Sequence, residues 1–470
     1  MWSAKLFLKN LYRKIGIDSS QVHVHPVEHH LAHAASAYYF SGFKSATIMT
    51  IDAVGEVDST VLWKADSGEF EKILEIPFYR GSLGAFYERA AKKLGYGWFD
   101  GAGKLMGLAP YGRERKKITL KMNKMLKVYG TNNDVPYKIN IKVQRRSIWK
   151  QYLEYDRLIN KFNSLSLDWN KNGRLKRDVI DFAWGFQNSL ERAILSTAYW
   201  AQKNVGGGNL GLAGGVALNS KGVMKVYYEN IFNDIFTFPA ATDAGTAIGA
   251  AAYVYDRIFG KMRNQRLSRL DFGPEYNEDR IKSVIERSNL YHERCEASQV
   301  AELISKGKIV AWFNGSAELG PRALGGRSIV ADPRNKAMWL KINELKGREW
   351  WRPLAPSMLE SARERYLKHA VHRPFMVMMF RVTDYAMRHI PAVCHVDRTT
   401  RPQTVKKNYK EPWYSLIRDF SEITGEEAIL NTSFNLAGEP MVETPEDAIK
   451  SFSLGGFDAV YLDGWLIKKR

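Results

Sequence analysis

Two histidines four residues apart, His29 and His33 in the run Val27-Glu28-His29-His30-Leu31-Ala32-His33, open an alanine-rich stretch with helical spacing. Residues i and i+4 of an α-helix stack on one face, so both imidazoles can converge on one cation. A divalent metal usually takes at least one further protein ligand, and iron, manganese and zinc often take it from a carboxylate. The plain alternative is a pair of polar residues at a helix start, and spacing alone leaves both readings open. The chemistry therefore turns on which carboxylates the chain can bring to the pair.

Candidates lie where apolar strands run into glycine turns. The run Ala46 to Ile51 is short, apolar and partly β-branched, and it delivers Asp52 into the turn Asp52-Ala53-Val54-Gly55-Glu56. Aspartate also favours turns for local hydrogen-bonding reasons. Gly101 to Pro110 sets Lys104 among glycines, including Gly107, whose backbone can approach an anion; it matches neither a P-loop nor a dinucleotide fingerprint. Leu210 to Ala213 reads as a strand, and Gly214-Gly215-Val216-Ala217-Leu218-Asn219 as a turn that presents backbone N–H groups and a helix N-terminus to phosphate oxygens. Asp243 precedes a small-residue helix, where it is either a ligand or a helix cap. Strand, glycine turn and helix recur in this order, the pattern of an α/β fold.

The elements that must position these residues are bounded by composition. A chain of 470 residues with 45% hydrophobic content holds two or three cores at roughly 150 residues each, and two large lobes are expected. No apolar run reaches about 18 residues, and the first residues lack the pattern of a secretory signal, so a cytoplasmic protein without a membrane partner is expected. The two cysteines, Cys295 and Cys394, exclude a disulfide framework or a cysteine-rich zinc site. The formal charge of +19 favours anionic partners. Its clusters, at 113–117, 142–150 and 171–177, read as solvated faces, and the aromatic residues are too scattered for a nucleic-acid platform, which stays the minor alternative.

Nine blocks in order then carry a family resemblance across residues 27–447: VEHHLAHAASAYYFSGF, TIDAVGE, GKLMGLAPYG, LAGGVALN, PAATDAGTAIGAA, GSAELGPRALGGRSIVADPR, KGREWWRPLAPSML, HVDRTTRPQTV and ILNTSFNLAGEPMVETPEDAI. Together they resemble the O-carbamoyltransferases of the NodU/CmcH type, tobramycin carbamoyltransferase among them. The resemblance implies a TsaD-like transfer lobe over residues 1–265, of the actin/Hsp70 superfamily with ribonuclease-H-like subdomains. It also implies a YrdC-like α/β lobe over residues 266–470. The first subdomain is expected to be truncated, because the chain starts without the family's usual opening strands.

In such enzymes ATP and carbamoyl phosphate give carbamoyl adenylate, and the carbamoyl group passes to a hydroxyl of a sugar or natural-product acceptor. By position, the resemblance places metal ligands on His29, His33 and Asp243, with Asp52 close by. Fe2+ is the first choice, Zn2+ and Mn2+ the alternatives, and Mg2+ accompanies ATP. It places carbamoyl phosphate and ATP on Arg322, Lys346, Arg352, Arg401, Asn431 and Ser433. Guanidinium forks suit phosphate, and Arg327 and Arg348 lie in the same blocks. Arg322 and Lys346 are expected to be catalytic there, Asp52 and His30 in the transfer lobe. His30 is a candidate base through adjacency alone, and a packed histidine is the alternative. Nucleotide contacts in the transfer lobe are expected from Gly55, Glu56, Lys104, Gly107, Gly214, Gly215 and Asn219. The acceptor, a hydroxylated small molecule or glycan, has no signature; stretches such as 128–177 are where its pocket would vary. A homodimer is allowed. A threonylcarbamoyl-type tRNA-modifying enzyme and an inactive truncated scaffold are the competing readings.

Overall fold

A computed structural model describes residues 2–18, 22–97, 100–141, 148–163, 165, 175–260 and 262–469. Residues 142–147 and 171–174 of the second and third basic clusters, and part of the variable 128–177 stretch, lie outside the described residues. The first half is built from α1 (His29–Tyr39), β1 (Ser45–Ile51), β2 (Asp58–Asp66), β3 (Glu69–Pro77), α2 (Leu83–Lys93), α3 (Gly101–Leu108), α4 (Arg177–Asn204), β4 (Asn209–Ala213), α5 (Ser220–Tyr228), β5 (Asp234–Thr237) and α6 (Ala244–Phe259). Its sheet runs β3-β2-β1-β4-β5; β2 pairs antiparallel with β1 and β3, while β1, β4 and β5 are parallel.

The burial of β1 from Ala46 to Ile51 has a physical reason: helices cover both faces of the sheet, so apolar residues can point to either side. Ala46 and Ile48 pack with Ala34, Ala37 and Tyr38 of α1, whereas Met49 and Ile51 join Leu83 and Phe86 of α2 and Phe186 of α4. Where two ribonuclease-H-like subdomains are expected, the described residues of this half hold one five-stranded sheet and a short ribbon of Leu126–Val128 with Tyr137–Ile139.

The second half carries β6 (Tyr291–Arg294), α7 (Ala297–Ser305), β7 (Val310–Phe313), β8 (Arg327–Ala331), α8 (Ala337–Leu345), β9 (Ala355–Leu359), β10 (Gln403–Val405), α9 (Trp413–Thr424), β11 (Ala428–Ser433), β12 (Ala459–Leu462) and β13 (Trp465–Lys468). They form a mixed eight-stranded sheet in the order β10-β9-β11-β8-β7-β12-β13-β6. The α/β class is therefore as expected. One continuous apolar core links the two sheets. Ion pairs also cross between the halves, from Lys104 to Glu349 (3.1 Å), Arg373 to Asp234 (3.2 Å) and Lys221 to Asp397. Among the described residues, no helix is long and apolar enough to cross a membrane.

Candidate metal centre and phosphate cavity

The helix α1 begins at His29, so the His29/His33 spacing becomes one helical face at its first turn. That face looks onto the C-terminal end of β1, where Asp52 leaves the sheet. The Nε2 of His33 lies 3.0 Å from Asp52 Oδ2, and that of His29 lies 3.7 Å from the same oxygen. Asp243 Oδ1, from the start of α6, stands 3.8 Å from both nitrogens. Asp243 occupies the N-cap position but its side chain makes no capping bond, which answers the alternative left open by its sequence position. Ligand atoms of the four residues all fall within 4.8 Å of one another.

Whether a metal fits can be judged from the hydrogen bonds. Nε2 of His29 and both ring nitrogens of His33 are buried without a hydrogen-bond partner, although carboxylate oxygens stand close to both Nε2 atoms. Two imidazole nitrogens and two carboxylates converging without hydrogen bonds among them form a donor set that suits a borderline divalent cation. The electrostatics agree. Burial would raise Asp52, but His29 and His33 outweigh it and hold the carboxyl well below its usual range. Burial would lower His33, but Asp243 and Asp52 outweigh it and push the ring up. Asp52 is further oriented by Ala53 N–H on Oδ1 (2.6 Å) and Gly215 N–H on Oδ2 (3.2 Å). Gly214 makes that second contact possible: its φ is +87°, and a Cβ there would stand 2.3 Å from the Ile51 carbonyl oxygen.

The adjacent His30 turns the other way. Its Nδ1 shares a hydrogen bond with Thr50 Oγ1 (2.9 Å) and its Nε2 with the Asp58 carbonyl (3.0 Å), and burial lowers it to about 4. Both ring nitrogens are engaged in holding α1 to β1 and β2. Adjacency placed it as a base; helical rotation of about 100° per residue carries it off the His29/His33 face.

Beside the cluster lies a cavity of about 330 Å³, lined by Asp52, Tyr87, Glu88, Gly215 and Asn219 from the first half and by Arg322 and Arg352 from the second. Of the expected nucleotide contacts, Gly215 and Asn219 line it and Gly214 shapes its turn. The others are placed differently. Lys104 pairs with Asp100 (2.8 Å) and Glu349, Glu56 accepts the His29 backbone N–H (2.9 Å), Gly55 packs on the His30 ring, and Gly107 packs on Pro353 at the edge of the second, arginine-lined cavity. Asn219 also caps α5 by accepting from Gly222 N–H (3.0 Å).

The helix α2 closes one wall because Gly84 lets it approach: a Cβ there would lie 2.5 Å from Ala53 N and 2.7 Å from Asp52 C. Backbone cannot yield cheaply at that distance. Gly84→Ala is accordingly expected to destabilise the fold by roughly 1–3 kcal/mol and to weaken metal retention by displacing Asp52. Thermal melting together with metal analysis checks this; a variant unchanged in both would contradict the packing described.

The second cavity, about 130 Å³, is lined by Arg322, Arg348, Arg352 and Arg401 together with Asn431 and Ser433. These cations repel one another. Burial, then Arg352, lowers Arg322 to about 10 and Arg348 to about 9; burial, then Arg322, Arg352 and Arg348, pushes Arg401 well below its ordinary value. Nε of Arg322 and of Arg401 and Oδ1 of Asn431 are buried without partners. The Glu349 carboxylate reaches Arg352 only at 3.6 Å. A group of guanidiniums this poor in counter-charge is arranged for an anion from outside.

Two residues from the same sequence blocks have other surroundings. Lys346 lies behind the cavity wall, donating to Asn435 Oδ1 (2.8 Å), the Asn435 carbonyl (3.0 Å) and the Ser433 carbonyl, so it holds the strand-end loop. Arg327 is buried over the Phe313 ring, 3.5 Å from its centroid, and donates to the Gly315 carbonyl (2.8 Å), which makes it structural. Sequence reasoning passed over Glu88, Glu349 and Tyr87. Glu88 follows Gly84 by one helical turn, but nothing in its sequence neighbourhood marks it. The two cavities share the walls Gly103, Met106, Pro321, Arg322 and Arg352 and so adjoin.

Two family models match the chain: one described as Carbamoyltransferase N-terminus over residues 4–252, the other as Carbamoyltransferase C-terminus over residues 301–469. The nodulation protein NolNO of Sinorhizobium fredii is 35% identical over 99% of this chain and 67% of its own length. An uncharacterised protein of Synechocystis is 32% identical over 99% of this chain and 80% of its own. Full-length HypF, solved in a phosphate- and nucleotide-bound form, aligns at 16% identity over 35% of this chain and 21% of its own, with a TM-score of 0.26, too low to carry an argument.

Proposed function

Because the chain belongs to the carbamoyltransferase family, we propose that it is an ATP-dependent O-carbamoyltransferase that makes carbamoyl adenylate in the arginine cavity and transfers the carbamoyl group in the adjoining one. The observation that carries this reading is the shared wall: an arginine cavity short of counter-charge opens beside a cavity edged by the His29/His33/Asp52/Asp243 cluster, with Arg322 and Arg352 lining both. Synthesis belongs to a YrdC-like domain over 266–470 and transfer to a TsaD-like domain over 1–265.

In the first step Arg322, Arg348, Arg352 and Arg401 gather carbamoyl phosphate and the triphosphate of ATP with its Mg2+. Their crowding in the free protein is relieved as phosphate charge enters. Positioning and charge neutralisation suffice for such phosphoryl chemistry, so no covalent enzyme intermediate is required. In the second step the adenylate reaches the neighbouring cavity past Arg322 and Arg352 and meets the hydroxyl of a sugar or natural-product acceptor. A divalent metal, Fe2+ first with Zn2+ or Mn2+ as alternatives, would be held by His29, His33 and Asp243 with Asp52 and would supply a Lewis acid for the carbamoyl carbonyl.

The purified protein is expected to exchange labelled pyrophosphate into ATP only when carbamoyl phosphate is present. Exchange without carbamoyl phosphate, or none with it in the presence of Mg2+, would sink the synthesis reading.

A further inference from the structure

We propose that the Glu88 carboxylate is the general base of the transfer step, accepting the proton of the acceptor hydroxyl; this rests on the carbamoyl-transfer reading above. The geometry begins at Gly84. With α2 seated there on the Asp52–Ala53 backbone, residues 84, 87 and 88 share the helix face that lines the larger cavity, and Glu88 projects into it about 6 Å further along the axis. Tyr87 on the same face spends its hydroxyl on Gln187. Glu88 has no hydrogen bond or ion pair among the described residues, so its carboxylate is available to a ligand in the cavity it lines.

The neighbouring groups set its basicity. Burial, then repulsion from Asp52, pushes Glu88 up to about 7, with Arg89 opposing and Asp243 adding a smaller repulsion. Tyr152 also faces it, and Arg322, Arg352 and the Lys104-paired Asp100 line the same cavity. A cation held between Asp52 and Asp243 would offset their repulsion and leave burial, the largest cause, in place. A base that titrates near neutrality is matched to moving a hydroxyl proton. Other groups fail this task. His30 is committed to the core, Asp52 is held too acidic, and Asp100 is ion-paired.

In the step itself, the acceptor oxygen bonds to the carbamoyl carbon as its proton moves to a Glu88 carboxylate oxygen. The bond from that carbon to the AMP phosphate oxygen breaks, and AMP leaves with the electron pair.

Two measurements test this. The first is AMP release from ATP and carbamoyl phosphate with glycerol as a stand-in hydroxyl acceptor, with pyrophosphate exchange as the control on the other cavity. Glu88→Gln is expected to slow glycerol-dependent AMP release by roughly 100-fold or more while exchange continues, and Glu88→Asp to recover part of the loss. The wild-type rate should rise with pH through about 7, where the carboxylate ionises, and the Gln variant should lose that rise. The second needs no turnover: carbodiimide-directed amidation mapped by mass spectrometry should label Glu88 at pH values where exposed carboxylates no longer react. Transfer by Glu88→Gln within threefold of wild type, or labelling of Glu88 in step with exposed carboxylates, overturns the proposal. Wild-type protein that exchanges pyrophosphate but releases no AMP overturns the transfer reading and this proposal with it.

Discussion

His33→Ala is expected to reduce bound divalent metal to background and abolish carbamoyl transfer, while carbamoyl-phosphate-dependent pyrophosphate exchange stays within about twofold of wild type. His33 is fully buried and its Nε2 is the imidazole nitrogen closer to Asp52, at 3.0 Å against 3.7 Å for His29. Removing it leaves His29, Asp52 and Asp243, of which Asp243 is largely exposed to competing water. Losing even a partner that orients a ligand costs metal affinity roughly 10- to 100-fold, and losing the ligand itself should cost more. Asp52 would also lose a neighbour that holds its carboxyl acidic. Exchange should survive because α1 contributes nothing to the arginine cavity. Metal analysis, AMP release and exchange on one preparation decide the matter: stoichiometric metal in the variant, or parallel loss of both activities, would contradict the division between the cavities.

Arg401→Met is expected to act in opposite directions on stability and binding. In the free protein Arg401 sits beside three other guanidiniums, so replacing it by an unbranched apolar side chain removes repulsion and a desolvated charge. Replacing buried charges by apolar groups is often neutral or stabilising, and here the residue is only partly shielded from solvent, so the gain should be modest. A melting temperature at or above wild type, by on the order of 2 °C, is expected. Carbamoyl phosphate, in contrast, should bind roughly 30- to 150-fold more weakly, as a lost charge-assisted hydrogen bond of about 2–3 kcal/mol implies. Phosphate should correspondingly raise the wild-type melting temperature more than that of the variant. A clear drop in stability without ligand, with affinity unchanged, would mean that Arg401 is a packing residue and that the anion lies elsewhere. Such a trade is usual where a site is built for a ligand rather than for the free fold.

What could be read along the chain was local. The 3.6-residue period put His29 and His33 on one face and the structure begins α1 at His29; the apolar run before Asp52 became β1; the Gly214-Gly215 turn became the backbone that steadies Asp52. Arginine-bearing blocks signalled an anion site because guanidinium chemistry is a property of the side chain. In these cases residue type and spacing within a few positions carry the physics, so a linear reading suffices.

Three-dimensional packing decided the rest. Residue type and spacing set out Asp52 and Asp243 as separate possibilities, and only the family resemblance grouped them with the histidine pair; the pairing of β1 with β4 and the seating of α6 are what bring both carboxylates within reach of it. His30, beside the ligands in sequence, was sent into the core by helical rotation; Arg327, five positions after Arg322, was taken up by the Phe313 ring and the Gly315 carbonyl. Glu88 had no sequence signal because its basicity comes from burial and from a carboxylate 36 positions earlier, brought close by a glycine. By itself the sequence determined which chemical groups exist and which helix or strand face each occupies. Only the tertiary structure decided which of them share a cavity and what their charges become, because burial and Coulomb interactions depend on distance through space, and that distance is set by packing between segments far apart in the chain.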